Sequence, residues 1–250
     1  MEDLINKTAH ALATSKLTVA LTGAGISVES GIPPFRGKGG LWEKIDPMEY
    51  AHIDSFMRDP VKVWNVLLKD MKTILDTAKP NDAHKGLARL EELKRLKTII
   101  TQNVDGLHQI AGNSDVIEFH GSFAWHRCLE CSTRIETSKI DLTQIPPHCD
   151  CGGIYRPECI FFGETIPPQH LVRSQQVASA CDVMLVVGTS AVVQPAGLMP
   201  MIAKESGAKI IEINPEPTPL THNTSDYHLM GGAGEMLNRI VTRLEQLLKT

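Results

Sequence analysis

Four cysteines near the middle of the chain give the strongest chemical signal in the sequence. They form one pair separated by two residues and a second pair separated by one: Cys128, Cys131, Cys149 and Cys151. Such pairs turn tightly enough to present their thiolates to one tetrahedral ion, which predicts one structural zinc. Because the second pair is shorter than usual, a mixed site in which His148 or His126 replaces Cys149 stays open. The other two cysteines, Cys159 and Cys181, stand in apolar contexts and are predicted to be buried thiols.

A glycine-rich turn, Gly23-Ala24-Gly25-Ile26-Ser27, follows a short β-rich run and begins like a dinucleotide-binding fingerprint. Two glycines let a backbone turn tightly and approach a pyrophosphate at the start of a helix. The third glycine of the full motif is missing, so a hydride-transferring dehydrogenase is not indicated. The fragment alone is compatible with either a phosphate turn or a plain tight turn.

Polar residues also follow two later predicted strands. Gln102, Asn103 and Asp105 come directly after one strand, where they would face a cleft or, in the case of Asn103 or Asp105, cap a helix. His120 ends the next strand and precedes a glycine. A histidine there is often structural, but its pKa range makes it the best general base that the chain offers.

The elements that must position these residues alternate between strands and helices. Short apolar runs predict strands at 17–22, 98–101, 116–119, 183–187 and 209–213, and helical periodicity marks 2–15, 83–96, 171–180 and 235–248. This alternation predicts an α/β fold with a Rossmann-like parallel sheet, whose ligands bind at the carboxyl ends of the strands. Residues 1–34, 81–122 and 169–250 are assigned to it, and 35–80 and 123–168 to an inserted small domain with a helical and a zinc-binding module.

Composition limits the remaining function classes. The 250 residues are 42% apolar and 22% charged with a net charge of −4, which excludes collagen-like and disordered chains and gives nucleic-acid binding no support. The start has no signal-peptide pattern, and no apolar run approaches the roughly 18 residues of a membrane span. A cytoplasmic protein without membrane contact is expected; the sequence does not indicate its oligomeric state.

Taken together, the motifs resemble the sirtuin family of NAD-dependent protein deacylases, of prokaryotic type. The resemblance runs from about residue 17 to 245 and keeps the family's order: Gly-Ala-Gly-Ile-Ser, Gly-Ile-Pro-x-Phe-Arg, Thr-Gln-Asn-x-Asp, His-Gly-Ser, paired cysteines, Phe-Gly-Glu, Gly-Thr-Ser and Ile-Asn-x-Glu. It implies a cleft in which NAD and an acyl-lysine peptide meet. Two departures are Pro34, where many relatives have Asp or Thr, and the Cys-x-Cys spacing.

The resemblance assigns catalysis to His120 and Asn103. In the family, this histidine is the general base on the nicotinamide-ribose hydroxyls, and the asparagine orders the ribose and a nearby water. Asp105 would meet the nicotinamide carboxamide. The other residues that the resemblance places against NAD are Gly23, Ala24, Gly25, Ser27, Val28, Phe35, Arg36, Gln102, Val104, Gly188, Thr189, Ser190, Asn214, Glu216, Gly232 and Ala233.

The substrate implied by the resemblance is a protein or peptide that carries acetyl-lysine. Its backbone would form an added strand between two segments. These are Phe162, Gly163 and Glu164 on one side, and Val192 and Val193 on the other. The acyl oxygen would attack the ribose anomeric carbon, nicotinamide would leave, and the products would be free lysine and O-acetyl-ADP-ribose.

Three alternatives to deacetylation stay open: an NAD-binding sensor without catalysis, a mono-ADP-ribosyltransferase, and a deacylase for other acyl groups. Relatives that favour acidic acyl groups resemble one another in a Tyr-x-x-Arg pair. None of the three tyrosines here is followed three residues later by Arg, and the matching stretch offers Trp64, Leu67 and Leu68. Acetyl is therefore expected before succinyl or malonyl, unless Lys62 or Lys69 supplies the missing cation.

Overall fold

A computed structural model describes residues 1–35 and 39–249, in which strands and helices alternate along much of the chain. The strands are β1 (Thr18–Thr22), β2 (Thr98–Thr101), β3 (Val116–Glu118), β4 (Gly121–Cys128), β5 (Arg134–Glu136), β6 (Tyr155–Cys159), β7 (Val183–Val187), β8 (Lys209–Asn214) and β9 (Tyr227–Met230). The α-helices are α1 (Glu2–Thr14), α2 (Pro47–Tyr50), α3 (Ile53–Arg58), α4 (Pro60–Val63), α5 (Lys69–Thr77), α6 (Asp82–Glu92), α7 (Leu107–Ala111), α8 (Pro168–Ala180), α9 (Met199–Glu205), α10 (Pro219–Asn223) and α11 (Ala233–Leu247). Short 3-10 helices cover Ala24–Ser30, Leu41–Glu43, Thr137–Lys139 and Ala196–Leu198, and a π-helical turn, Trp64–Leu68, joins α4 to α5.

Six strands form one parallel sheet in the order β3-β2-β1-β7-β8-β9. The order reverses between β1 and β7, which pair in register from Thr18 with Val183 to Thr22 with Val187. Because all six strands run in one direction, their carboxyl ends share one edge, and a crevice opens where the order reverses. This arrangement confirms the predicted α/β fold.

Helices cover both faces of this sheet, and alternate strand residues enter separate cores. Ala20 points into a core with α1, α6 and α11, whereas Val19 and Leu21 point into a core that α8, α9 and α10 cover. Strands β1 and β7 are buried along their whole length, as expected for parallel strands covered on both sides.

A second sheet, antiparallel and in the order β5-β4-β6, has Cys128 at the end of β4, and Cys131 lies in the turn that leads to β5. It shares a third core with the short helices: Phe56, Trp64 and Leu68 pack together with Phe123 and Tyr155. The two chain segments assigned to the small domain thus bury their apolar side chains together. The domain boundaries themselves stay a prediction.

Several sequence predictions differ from the structure in detail. The helix predicted over 83–96 ends at Glu92, because Lys94 adopts a left-handed conformation with φ of +58° and turns the chain toward β2. Strand β9 was not predicted; it is a short edge strand in which only Leu229 is fully buried. The small antiparallel sheet was also missed, because its strands show little periodicity.

Within the described part of the chain, none of the helices has both the length and the apolar character needed to cross a membrane. The cytoplasmic location stays a prediction.

Candidate active site

Two glycine turns meet at the centre of the parallel sheet, where β1 and β7 end. The Gly23 amide donates to the Val187 carbonyl at 3.2 Å, and the Gly25 amide donates to the Gly188 carbonyl at 2.8 Å. A Cβ atom on Gly25 would lie 2.7 Å from the Gly188 carbonyl oxygen, and Gly188 has φ of +61°. The turns therefore interlock through their backbones with no space for side chains between them.

Side chains tie three strand ends together around this crossing. Thr189 Oγ1 accepts hydrogen bonds from Gln102 Nε2 at 2.9 Å and from the Ala191 amide at 3.0 Å. Asn214 Nδ2 donates to the Thr189 carbonyl at 3.0 Å. The polar residues that follow β2, β7 and β8 thus form one connected edge.

Asn103 is buried at this edge and held by two hydrogen bonds. Its Nδ2 group donates to the Gly23 carbonyl at 3.2 Å and to Ser27 Oγ at 3.1 Å. Ser27 Oγ in turn donates to Asp105 Oδ2 at 2.7 Å, and Asp105 Oδ1 accepts the Leu107 amide at 2.9 Å. Asp105 thus accepts the first amide of α7 from the residue before the N-cap, which is Gly106, so neither Asp105 nor Asn103 is the N-cap that the sequence left open.

His120 lies between β3 and β4 with one ring nitrogen already engaged. Its Nδ1 atom lies 3.1 Å from the Gln102 carbonyl. A carbonyl only accepts, so Nδ1 carries the hydrogen and Nε2 is left as a proton acceptor. Burial lowers the pKa of His120 below its ordinary value, although the bond to the Gln102 carbonyl opposes this shift. His120 is thus neutral at pH 7 and has the properties of a general base.

A cavity of about 750 Å³ opens onto His120, Asn103 and the glycine turns. Among the described residues that line it, none is Lys or Arg. Ser27 and Asp105 lie behind the lining, and Arg36 lies outside the described residues. The sequence-predicted residues that line the cavity are Gly23, Ala24, Gly25, Val28, Phe35, Gln102, Asn103, Val104, His120, Phe162, Gly163, Glu164, Gly188, Thr189, Ser190, Val192, Val193, Asn214, Glu216, Gly232 and Ala233.

The four clustered cysteines meet away from this cavity, at the end of the antiparallel sheet. All four sulfur atoms lie within 4.8 Å of one another, with Cys128 Sγ 3.5 Å from Cys151 Sγ and Cys131 Sγ 3.7 Å from Cys149 Sγ. Four ligands at the usual Zn–S distance of about 2.3 Å would place neighbouring sulfurs about 3.8 Å apart. The four thiols are thus positioned for one structural zinc ion, with no coordination position left for a substrate.

Neither alternative histidine ligand belongs to the cysteine group. His126 Nδ1 lies 2.9 Å from Thr137 Oγ1, and its ring stacks on Trp64. His148 pairs with Ile154 in an isolated β-bridge. Both cysteines of the Cys-x-Cys pair reach the cluster because their loop folds back on itself. The Cys149 amide donates to the Gly153 carbonyl at 2.8 Å.

Comparison with known proteins identifies the arrangement. Residues 23–195 match the model of the Sir2 family. The chain is 46% identical over 249 residues to "NAD-dependent protein deacylase 1" of Archaeoglobus fulgidus, and the match covers 99% of this chain and 100% of that protein. The chain belongs to the Sir2 family. The predicted resemblance to the sirtuins is therefore confirmed over nearly the whole chain.

Solved Sir2 structures share this fold closely. One is a Sir2 homologue in complex with NAD, at 47% identity and a TM-score of 0.88, covering 97% of this chain and 94% of its own. Another is a Sir2 variant with a deacetylated p53 peptide and 3′-O-acetyl ADP-ribose, at 35% identity and a TM-score of 0.90, covering 95% of this chain and 97% of its own.

In the Sir2 site of this chain, the two predicted peptide-binding segments lie on the cavity wall with unpaired backbone groups. Within the described residues, neither the amide nor the carbonyl of Gly163 or Val192 makes a hydrogen bond. The carboxylate of Glu164 is engaged by Arg156, and the pairing of its backbone with a peptide stays a prediction. Cys181 is buried as predicted, and burial raises its pKa to about 12, whereas Cys159 lines the cavity.

Two histidines behind the cavity escaped the sequence analysis. His84 Nε2 lies 3.4 Å from Ser27 Oγ, and its ring lies 5.0 Å from that of His108, whose Nε2 lies 2.9 Å from Thr22 Oγ1. Burial lowers the pKa of His84 to about 4, against an opposing effect of Asp105, and that of His108 to about 3. His84 lies on α6, within the predicted helix, whereas His108 lies on α7, which the sequence did not predict; their burial depends on tertiary neighbours that neither pattern shows.

Proposed function

We propose that this Sir2 protein is an NAD-dependent protein-lysine deacetylase that releases nicotinamide, the free lysine and O-acetyl-ADP-ribose. The observation that carries the proposal is the placement of His120. Its free Nε2 belongs to a residue on the wall of the cavity that the interlocked glycine turns also line. A glycosidic cleavage needs positioning, exclusion of water and one base of moderate pKa more than it needs a strong nucleophile.

The glycine turns, together with the hydroxyl groups of Thr189 and Ser190, fit the phosphates and riboses of NAD. Backbone N–H groups can approach a phosphate closely where glycine leaves no Cβ in the way. When bound, NAD supplies the glycosidic bond that breaks and the ribose that receives the acyl group. Because no Lys or Arg lines the described cavity, these turns are the groups that would meet the phosphate charge, together with Arg36 as predicted from the family.

Asn103 and His120 would act on the nicotinamide ribose. Both are fixed by hydrogen bonds through one atom only: Asn103 through Nδ2 and His120 through Nδ1. Within the described residues Asn103 Oδ1 has no hydrogen-bond partner, so it can accept from a ribose hydroxyl or a water. His120 Nε2 would take the proton of a ribose hydroxyl. Contact of Asp105 with the carboxamide stays a prediction, since its carboxylate is shared between Ser27 and the Leu107 amide.

The helical part of the cavity lining favours a neutral acyl group. Leu67, Leu68 and Met71 line it, whereas Trp64 does not, because its Nε1 group donates to the Tyr155 carbonyl at 3.0 Å within the third core. Lys62 pairs with Glu49 and, like Lys69, does not line the cavity. A buried carboxylate without a cation costs several kcal/mol, so acetyl-lysine should be a better substrate than succinyl-lysine.

One incubation separates the deacetylase from its alternatives. The protein, NAD and an acetyl-lysine peptide are mixed, and nicotinamide, the peptide and the nucleotide product are followed by mass spectrometry. A deacetylase converts the peptide by the loss of one acetyl group and forms O-acetyl-ADP-ribose in equal amount. A mono-ADP-ribosyltransferase adds ADP-ribose to the peptide, and a non-catalytic NAD sensor releases no nicotinamide; either result would contradict the proposal.

A further inference from the structure

The cavity wall that carries Phe162 and Gly163 is an irregular segment, and it needs support from elsewhere. Strand β6 ends at Cys159, and the chain continues along the cavity as Ile160–Glu164 without joining a sheet. On one side the segment is held by backbone contacts. The Ile160 amide donates to the His120 carbonyl at 2.8 Å, and Phe162 exchanges two bonds of 2.9 Å with Ala51 and Ile53.

Glu164 holds the other side of the segment through a bidentate ion pair. Arg156 Nη1 donates to Glu164 Oε1 and Arg156 Nη2 to Glu164 Oε2, both at 2.8 Å. The Phe161 amide donates to the same Oε2 at 2.8 Å, and Arg156 Nη2 also donates to the Cys159 carbonyl at 3.1 Å. Paired bonds of this kind fix direction as well as distance, so the two ends of the segment are tied to one guanidinium.

The pair is more than a surface contact. The side chains of Arg156 and Glu164 are 17% and 22% exposed, and the guanidinium lies 5.1 Å from the centre of the Phe161 ring. Burial alone would raise the pKa of Glu164, but the bonds from Arg156 and the Phe161 amide hold it below its ordinary value. Glu164 thus stays ionised near neutral pH, and its carboxylate is committed to Arg156 and Phe161.

Gly163, at the tip of the segment, can offer a peptide only its backbone. It has φ of +85°, and a Cβ atom there would lie 2.5 Å from His52 Nε2. The direction of its free amide and carbonyl therefore depends on how firmly the residues on both sides are held. The backbone of Arg156 is held in the small sheet, because β6 pairs with β4. In this pairing Tyr155 lies opposite Cys128, which is one of the four clustered cysteines.

We propose that Arg156 and Glu164 form a positioning pair that holds the Phe161–Gly163 backbone in the orientation needed to pair with the substrate peptide, and that this pair connects the order of the zinc-bearing sheet to the substrate groove. The inference rests on the proposed function. It gives the carboxylate of Glu164 a supporting role for the neighbouring backbone, beside the predicted strand pairing of the segment.

The test compares peptide binding and turnover in Arg156→Ala, Glu164→Ala, Glu164→Gln and the double variant Arg156→Ala/Glu164→Ala. Loss of a partly buried, charge-assisted hydrogen-bond pair should raise KM for the acetyl peptide and its Kd in fluorescence anisotropy by about tenfold. The kcat at saturating peptide and the KM for NAD should change by less than about threefold, since His120 and the glycine turns are not touched. Arg156→Lys, which keeps the charge but not the bidentate geometry, should fall between wild type and Arg156→Ala.

The double variant tests whether the two residues act as one unit. If they do, it should lose no more peptide affinity than the more severely affected of Arg156→Ala and Glu164→Ala. Effects that multiply in the double variant would mean that the residues contact the substrate independently, and would overturn the proposal.

Arg134→Ala provides the matched control. Arg134 pairs with Glu158 in the same small sheet, but neither residue lines the cavity. Its peptide KM should stay at the wild-type value, and zinc content and melting temperature should be measured for every variant. An equal rise in KM for Arg134→Ala would show a general loosening of the sheet and would contradict the pairing role. Wild-type protein that fails to deacetylate the peptide overturns the proposed function, whereas active wild type with unchanged KM in the Arg156 and Glu164 variants overturns only this inference.

Discussion

The two ends of the cavity are built by different means. The glycine end, at Gly23, Gly25 and Gly188, consists of backbone turns locked to one another where the buried strands β1 and β7 end. The helix end, at Leu67, Leu68 and Met71, consists of a π-helical turn and the first turn of α5, which rest on a core shared with the zinc-bearing sheet. One end is therefore fixed by main-chain geometry, and the other by side-chain packing.

This difference determines how far substitutions at each end can change the ligand that binds there. At the glycine end, any added side chain would collide with the facing backbone, so the sheet edge has little freedom to change its ligand. At the helix end, side chains alone form the surface, and a single substitution can alter the size or charge of the pocket without moving a strand. We therefore expect the glycine end to fix the co-substrate and the helix end, together with the Arg156–Glu164 pair, to fix the substrate.

Removal of the metal should separate the two ends of the cavity most completely, because it should affect only the part that rests on the zinc-bearing sheet. In Cys131→Ser, an exposed ligand is lost, and the small antiparallel sheet should unfold because metal-binding free energy is folding free energy for such a segment. Deacetylation should fall to the background rate, while the parallel sheet keeps its far-UV circular dichroism. Metal analysis should give one zinc per chain in the wild type and none in the variant.

The other cysteines provide controls for that experiment. Cys181→Ala should keep its zinc, because Cys181 lies in a core of the parallel sheet. Cys149→Ala and Cys151→Ala should both lose zinc. Full activity in zinc-free protein would disprove the structural role, and zinc retained by Cys149→Ala alone would restore a histidine as the fourth ligand.

Replacement of His120 should have the next largest effect, at the point where the two ends meet. His120→Ala removes a general base, so kcat should fall by about a hundredfold or more. The affinity for NAD, measured by calorimetry, and the melting temperature should change little, because the glycine end is intact. His10→Ala, which removes an exposed histidine on α1, is the control with wild-type rates. A parallel loss of stability and activity in His120→Ala would indicate a structural histidine instead.

The sequence predicted the glycine end well because its signals are local. A glycine turn directly follows β1 and β7, and polar residues directly follow β2 and close β8. A parallel sheet brings such strand ends to one edge without further information. The cysteine spacing was equally informative, since four thiols in two tight pairs have few other uses.

The helix end could not be derived in the same way because its contacts join residues distant in the chain. Leu67 and Leu68 were assigned to the acyl group only through the family resemblance, and the π-helical turn that places them has no simple sequence signature. Glu164 was assigned to a peptide-pairing segment by the resemblance, but no periodicity indicated that its carboxylate binds Arg156, eight residues earlier. His84 and His108 were missed for the related reason that buried polar pairs depend on tertiary neighbours.

Acyl selectivity tests whether side chains alone define the helix end. With one peptide sequence, kcat/KM for acetyl-lysine should exceed that for succinyl-lysine by about tenfold or more, because no cation in the described lining meets a distal carboxylate. Met71→Arg should lower this ratio by supplying one, whereas Met71→Leu should preserve it. A wild-type ratio at or below one, or a ratio unaffected by Met71→Arg, would contradict the assignment of this wall to the acyl group.

The pH dependence of the reaction should show the smallest effect. A general base works only when deprotonated, and burial holds the pKa of His120 below its ordinary value of 6.5. Between pH 8 and pH 6.5, kcat/KM should therefore fall by less than about twofold, and then by about tenfold per pH unit once the pH drops below the pKa. His84 and His108 have folded-state pKa values of about 4 and about 3, below those of the unfolded chain, so the stability they contribute is complete above pH 6.5 and is lost as the pH falls. Circular dichroism at each pH separates that loss of folded protein from the titration of His120. A midpoint at or above pH 6.5 in fully folded protein would mean that the base is more exposed than the cavity wall allows, or that another group controls the rate.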